Sequence, residues 1–253
     1  MNHFGAELVA QRYARSRPYF HPRVTQLIRA RLSLTAPANR ALDVGCGTGQ
    51  SSVALLPIAR RIVGVDVSAG MLAHASRRPG ISYLQASAEH LPFGEGEFDL
   101  LTAGLALHWF DRDRFLREAQ RVLRPGGWLV IYNDAFRGDM RQNPAFAAWS
   151  RDVHLRRFPT PPRDNRPLSA GEALNFGFQD TGREDFAHDE RFGPAELADY
   201  LLTQTNTIAQ VERGNTSVDG VRRWLLDEVS RFFPTESADF AFAGWVRYLH
   251  RLP

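Results

Sequence analysis

An α/β fold, a doubly wound sheet with helices on both faces, is what this sequence predicts, on three observations. From about Arg40 to Asn133 short apolar runs alternate with amphipathic stretches. The first two runs end in Gly or Asp, as strands do where they hand over to a loop. The stretches between the runs are long enough for helices, and strand–helix alternation calls for a layered sheet.

Each element can be justified in turn. "RALDVG" (40–45) and "RIVGVD" (61–66) read as compact strands, and "ISYLQA" (81–86), "FDLLTAG" (98–104) and "GWLVIYN" (127–133) have the same character. The clearest helix is 111–124, where Phe115, Leu116, Ala119, Val122 and Leu123 recur at helical spacing. Asp111 can cap its start and Pro125-Gly126-Gly127 stops it. After Asp134 the rhythm breaks, and "RRFPTPPRDNRPLSAGE" (156–172) reads as a long loop or lid. "REDFAHDERF" (183–192) alternates as a strand; Gly193-Pro194 opens a helix with Leu197, Tyr200 and Leu201 on one face. A further helix is expected over 221–233, and "FAFAGWVRYLHR" (240–251) reads as a terminal strand. The tail is thus expected to add two edge strands, 183–192 and 240–251, and a small helical cap.

Bulk composition narrows the class. The chain has 253 residues, 43% hydrophobic and 23% charged, ordinary for a globular protein. All 31 basic residues are arginine, yet the net charge is only +3 and the arginines are scattered. The sequence pI of 9.4 therefore reflects a coding bias towards arginine better than a basic stripe for nucleic acid. No apolar run approaches the roughly 18–20 residues of a membrane span, and the N-terminal stretch lacks the layout of a secretory signal. One cysteine, Cys46, precludes an intramolecular disulfide and fits a reducing cytoplasm. His3, His21, His74, His90, His154, His188 and His250 show no metal-ligand spacing, so no metal site is expected.

The strongest local signal is "LDVGCGTGQSS" (42–52). A buried strand turns into a helix through Gly45, Gly47 and Gly49, where the backbone must bend and a ligand must approach without meeting a Cβ. Asp66, at the tip of the next strand, is placed to accept hydrogen bonds from both ribose hydroxyls of an adenosine-containing ligand. The glycine spacing is G-x-G-x-G, one residue short of the dinucleotide fingerprint. Asp43 ahead of the turn would repel a pyrophosphate and suits a cationic amino group. The alternative is a tight turn in an α/β domain that holds no ligand there.

With these residues the chain resembles the class I S-adenosylmethionine-dependent methyltransferases. The likeness is carried by "LDVGCGTG", "IVGVDVSAGML" (62–72), "SAEHLPFGEGEFDLL" (87–101) and "RVLRPGG" (121–127), in that order. The resemblance implies a Rossmann-like seven-stranded mixed sheet in the order 3-2-1-4-5-7-6, with the last strand antiparallel. It also implies S-adenosylmethionine as cofactor and S-adenosylhomocysteine as product. Asp43 and the turn Gly45, Cys46, Gly47, Thr48 and Gly49 would hold the methionine end and Asp66 the ribose. Val67 and Met71 would flank the adenine, with Ser87, Ala88 and Glu89 at its edge and Gly104 beside the methionine end. Ser87 stands where many relatives carry Asp, which weakens the expected bond to adenine N6. Cys46 reads as a small packing residue beneath the cofactor rather than a reactive thiol. The chain is expected to be a single domain over 1–253, with cofactor binding in about 36–134 and lid or cap elements in 1–35 and 135–235.

More locally the chain resembles the UbiE/trans-aconitate methyltransferase branch, through "YARSRPYF" (13–20), "ALHWF" (106–110) and "YLLTQTN" (200–206). Malonyl-carrier-protein and juvenile-hormone-acid methyltransferases carry similar pairs after the fourth strand, and all three groups methylate carboxylates. A carboxylate is ionised at neutral pH and needs no base; a phenol or amine would benefit from one, and His108 has an intrinsic pKa of about 6.5. Tyr13, Arg17, Trp109 and Phe110 would orient the acceptor, Arg17 as a bidentate clamp. Against this stand plainer readings: Trp109 and Phe110 as core filling, His108 as a structural hydrogen-bonder, Arg17 as a surface charge, Gln204 and Asn206 as cap hydrogen bonds. The expected function is methylation of a small molecule in the cytoplasm, at oxygen and on a carboxylate, without a nucleic-acid or membrane partner. The alternatives are an NAD(P)-type oxidoreductase and a catalytically silent cofactor-binding protein.

Overall fold

In the computed structural model, which describes residues 7–212 and 217–253 (the side chains of 7–9 and 212 excepted), seven strands form one sheet. They are β1 (Ala38–Val44), β2 (Ala59–Asp66), β3 (Ile81–Gln85), β4 (Phe98–Gly104), β5 (Leu123–Met140), β6 (Phe178–Phe192) and β7 (Ala238–Arg251). Their order is β3-β2-β1-β4-β5-β7-β6, the order the resemblance implies. The first five pair in parallel wherever adjacent. β7 runs antiparallel to β5: Arg141 N donates to Asp239 O at 2.8 Å, and at the opposite strand ends the Arg251 guanidinium bonds the Leu123 carbonyl.

The helices preceding the fifth strand are α1 (Glu7–Ser16), α2 (His21–Arg31), α3 (Gln50–Ala54), α4 (Ala69–Ala73) and α5 (Arg112–Val122). Then come α6 (Ala145–Trp149), continued by a π-helical turn Ser150–His154, α7 (Leu155–Arg157), α8 (Ala170–Asn175), α9 (Pro194–Leu202), α10 (Thr205–Glu212) and α11 (Val218–Ser230).

The chain forms two compact units. One comprises Tyr19–Asn133, Arg163–Asp185 and Trp245–Pro253. Its core is built on β1 and β4, buried on both faces as parallel strands between helices are. Phe115, Leu116, Ala119 and Val122 of α5 are fully buried there, and each large apolar side chain adds about 1.5–3 kcal/mol. Asp111 caps α5, accepting from Arg114 N at 3.2 Å, which contributes about 1 kcal/mol.

The other unit comprises the chain up to Pro18, Asp134–Pro162 and Phe186–Gly244. Its core is aromatic: Phe146 meets Phe240 edge-on at 5.2 Å between centroids, and Tyr200 stacks on Phe192 at 5.4 Å. Leu197 and Leu201, from the predicted apolar face of α9, are fully buried in it.

Three elements differ from the sequence reading. The helix expected to 124 ends at Val122 and the fifth strand begins at once, because residues 124–127 bulge out of the ladder. Leu123 pairs with Phe98 and Trp128 with Leu100, and Gly126 takes φ +74° inside the bulge. The rhythm does not break at Asp134: β5 continues to Met140, with residues 135, 137 and 139 exposed and Gly138 and Met140 buried. That is strand periodicity in a stretch whose charges hid it. β6 starts at Phe178 rather than 183, since fully buried Phe178 joins the first core.

Candidate functional site

The glycine turn lies where β1 ends. Gly45, Gly47 and Gly49 have φ of 71°, 54° and 76°, the left-handed region that L side chains avoid by about 1–2 kcal/mol. Gly45 N and Cys46 N both donate to Val65 O, at 2.8 and 3.0 Å, pinning the turn to the end of β2. The close approach that the structure shows comes from the protein itself. A Cβ at Gly45 would lie 2.6 Å from Ala106 Cβ and 3.2 Å from the Phe110 ring, and one at Gly49 would run into the Tyr83 hydroxyl.

Two carboxylates brace the turn in different ways. Asp66 accepts from Gly47 N through Oδ2 and from Ser68 N through Oδ1, both at 2.8 Å. Burial raises its pKa, opposed by those backbone bonds. Each oxygen keeps a second lone-pair direction, which two ribose hydroxyls could use. Asp43 differs: it is 1% exposed, and Ser51, Ser52 and Thr102 donate to it at 2.6, 2.7 and 2.9 Å. Burial raises its pKa while the three hydroxyls pull the other way. Its oxygens are thus engaged internally, and its charge acts on the turn from beneath.

Around this pair the other expected cofactor residues take varied stations. Thr48 and Cys46 are buried, and burial together with Asp43 and Asp66 pushes the Cys46 thiol well up, which makes it inert. Val67 is 59% exposed while Met71 is buried, so only the first offers an open apolar face. Ser87 donates to Glu89 Oε2, and Glu89 accepts from Asp111 N at 2.8 Å, with Ala88 buried between them. The Ser87 proton is therefore committed to Glu89, and its oxygen accepts from Glu89 N at 3.2 Å. Gly104 ends β4 under the Tyr132 ring, and the next residue, Leu105, carries φ +56°. For a branched side chain that conformation stores strain of about 1–2 kcal/mol at the mouth of β4.

Past Leu105, residues Leu107–Trp109 form one 3-10 turn. His108 and Trp109 rings lie 4.8 Å apart, and Trp109 is 37% exposed. Burial, aided by the Arg163 charge, lowers His108 to about 4, so it is neutral at pH 7 and a weak base. Phe110 turns away from solvent onto Phe115, at 4.9 Å, and onto the glycine turn.

Tyr13 and Arg17 belong to the other unit. Arg17 Nη2 donates to Thr203 O at 2.7 Å, its guanidinium lies 4.7 Å from the Tyr13 centroid and 5.5 Å from that of Tyr200, and its buried Nε has no partner among the described residues. Asn206 donates to Phe158 O at 2.9 Å, a cap hydrogen bond. Among the described residues no group of His, Cys, Asp and Glu could hold a metal, and no helix is long and apolar enough to cross a membrane. His3 lies outside the described residues.

Sequence reasoning missed Tyr83, Arg163 and the pair His21–Tyr132. Arg163 rides on the 158–169 loop, which Arg112 of α5 holds by donating to Arg166 O at 2.7 Å. His21 Nδ1 lies 3.0 Å from Tyr132 Oη across 111 positions of chain, a separation no local pattern signals.

Residues 42–131, which hold the turn, Asp66, Glu89 and His108, match the methyltransferase domain family. An uncharacterized methyltransferase of Mycobacterium bovis is 29% identical over 93% of this chain and 87% of its own length. A malonyl-[acyl-carrier protein] O-methyltransferase of Enterobacter lignolyticus is 31% identical over 60% of this chain and 63% of its own. Among solved structures, a protein of Anaeromyxobacter dehalogenans provisionally described as a type II methyltransferase superposes with a TM-score of 0.69 at 26% identity, over 90% of this chain and 97% of that one. The chain spans about half the length of the first curated relatives it matches. The matched segment is similar to a methyltransferase domain, and it lies on a sheet whose strand order is the one that resemblance implies.

Proposed function

We propose, from the premise that residues 42–131 are a methyltransferase domain, that this protein moves a methyl group from S-adenosylmethionine to a small molecule, at an oxygen and on a carboxylate. The observation that carries the reading is the bond from Gly47 N to Asp66 within that segment. It couples the turn that would take the methionine moiety to the carboxylate that would take the ribose. Val67 and Met71 on one side, and Ser87, Ala88 and Glu89 on the other, are assigned to the adenine. A dinucleotide fits these residues less well: the buried Asp43 charge opposes a pyrophosphate, and α3 has only five residues to face one.

When bound, the sulfonium supplies an activated methyl group and its own leaving group. What the chain must add is alignment, which in favourable models lowers such barriers by about 7–11 kcal/mol. His108 supports an acceptor that arrives ionised. Held neutral with a pKa of about 4, it can hydrogen-bond a substrate but takes up a proton poorly at pH 7. A carboxylate needs no proton removed. Arg17, already oriented by Thr203 and two tyrosine rings, is assigned to the acceptor acid with Tyr13. The motifs "ALHWF" and "YLLTQTN" support placing the chain in the trans-aconitate-like branch.

Calorimetry with S-adenosylmethionine and with NAD tests the cofactor. Micromolar sulfonium binding is expected, and NAD binding without it would refute the reading. A tritiated methyl-transfer screen over carboxylic acids, phenols and amines tests the acceptor; reaction with amines or phenols alone would refute the carboxylate.

A further inference from the structure

His21 has no part in the assignments above, yet its surroundings are closely determined. It is the first residue of α2 and 8% exposed. Phe20 stacks on its ring at 4.3 Å between centroids, and the Tyr132 hydroxyl lies 3.0 Å from Nδ1. Tyr132 covers Gly104, the last residue of β4, and its backbone oxygen accepts from Leu105 N, the residue held at positive φ. The pair therefore belongs to the strained end of β4, where backbone strain is retained when the surroundings over-determine it.

The protonation state of His21 follows from its place. Burial pushes it down to about 3, and the positive end of a helix also disfavours an imidazolium. A neutral imidazole has one donor nitrogen and one acceptor. A phenol donates far better than it accepts, and a Tyr132 hydroxyl that donates to Nδ1 places the imidazole proton on Nε2. No described residue bonds Nε2, and it is not among the sealed, partnerless polar atoms that include Arg17 Nε, His74 Nε2 and His154 Nε2. In that tautomer the Nε2 N–H is left with no acceptor among the described residues.

We propose that His21 Nε2–H is a hydrogen-bond donor to a carboxylate held at the end of β4, and that Tyr132 is the positioning residue that fixes its tautomer. The inference rests on the transferase reading, in which two groups have that chemistry: the methionine carboxylate of the donor and the acid of the acceptor. A neutral donor suits the place, since it binds an anion without setting a second cation against the sulfonium.

The test uses the full chain, with His21→Phe removing the donor, His21→Asn restoring an N–H, and Tyr132→Phe releasing the tautomer. Calorimetry compares S-adenosylhomocysteine with 5′-methylthioadenosine, which lacks the carboxylate. If His21 holds the donor, His21→Phe weakens the first about tenfold and the second less than twofold, and His21→Asn recovers most of the loss. If it holds the acceptor, both affinities stand, and KM for carboxylic acids in the tritium assay rises about tenfold with kcat kept. Equal losses for both nucleosides would mark a packing role and overturn the proposal, as would no change in any of these readouts. Independently, the ¹⁵N spectrum of the ligand-free protein at pH 7 should show His21 as the Nε2–H tautomer, with Tyr132→Phe mixing the two forms. A protonated Nδ1 in the unmutated protein would overturn the proposal even with cofactor binding intact. Failure of the unmutated protein to bind S-adenosylhomocysteine would overturn the transferase reading and this inference with it.

Discussion

Asp66 accepts the backbone N–H of Gly47 at 2.8 Å, so the tip of β2 and the glycine turn after β1 form one hydrogen-bonded unit. The same carboxylate accepts Ser68 N, which fixes the entry to α4 and the buried Met71. Replacing Asp66 with Ala therefore removes the proposed ribose ligand and a brace together. Affinity for S-adenosylhomocysteine should fall at least tenfold, with a fall in melting temperature of a few degrees. Calorimetry and thermal melts read the two effects separately, and unchanged affinity would refute the ribose assignment.

Gly49 has φ +76° and the Tyr83 hydroxyl where its side chain would be. Gly49→Ala should cost about 2–5 kcal/mol, adding left-handed strain to overpacking. Tyr83 also donates to Ser76 O at 2.9 Å, so shortening it carries a cost of its own. In a double-mutant cycle read by urea denaturation, Tyr83→Leu should cost clearly less in the Gly49→Ala background than alone. Strict additivity would show that the backbone angle alone makes glycine necessary.

Asp43 gathers three hydroxyl hydrogens in the core. Asp43→Ala should destabilise the protein by about 3–5 kcal/mol, because three buried hydroxyls lose their acceptor. Asp43→Asn should cost less, since hydroxyls can rotate to accept from its amide. Urea denaturation distinguishes them; equal costs would show that the charge, not the hydrogen bonding, is what the site requires.

Four histidines set opposite limbs of a pH–stability curve. Burial holds His21 neutral to about 3 and His108 and His154 to about 4, with Arg163 assisting at His108. Unfolding returns them to about 6.5, so the unfolded chain binds more protons below that pH. Their contribution is complete above about 6.5 and is lost as pH falls towards 4. His188 behaves inversely: burial opposes its cation, but bonds to Asp134 at 3.1 Å and Glu190 at 3.0 Å outweigh that and raise it to about 9. Its contribution is complete below about 6.5 and is lost as pH rises through 9. Melting temperature should peak near neutral pH, and His188→Gln should flatten only the alkaline limb.

Arg17 tests the acceptor assignment. Arg17→Lys keeps the charge and loses the planar fork and the flat stacking on Tyr13 and Tyr200. KM for carboxylic acceptors should rise about tenfold while cofactor affinity is unchanged. A loss of cofactor affinity instead would reassign Arg17 to the donor.

By itself the sequence determined the glycine turn, Asp66 at the end of β2, and α5 with its Asp111 cap, while the strand order was implied by the family its motifs resemble. Each is written in neighbouring residues, as a period, a cap or a φ only glycine adopts freely. Tertiary structure decided what those residues face. Three distant hydroxyls turned Asp43 into an internal brace, Tyr83 made Gly49 necessary for a second reason, and Glu89 took the Ser87 proton. Burial and Arg163 made His108 a poor base, and the fold brought the Tyr132 hydroxyl to 3.0 Å from His21 Nδ1. Desolvation and hydrogen bonding between strands far apart in the chain have no local period, so only the folded chain could show them.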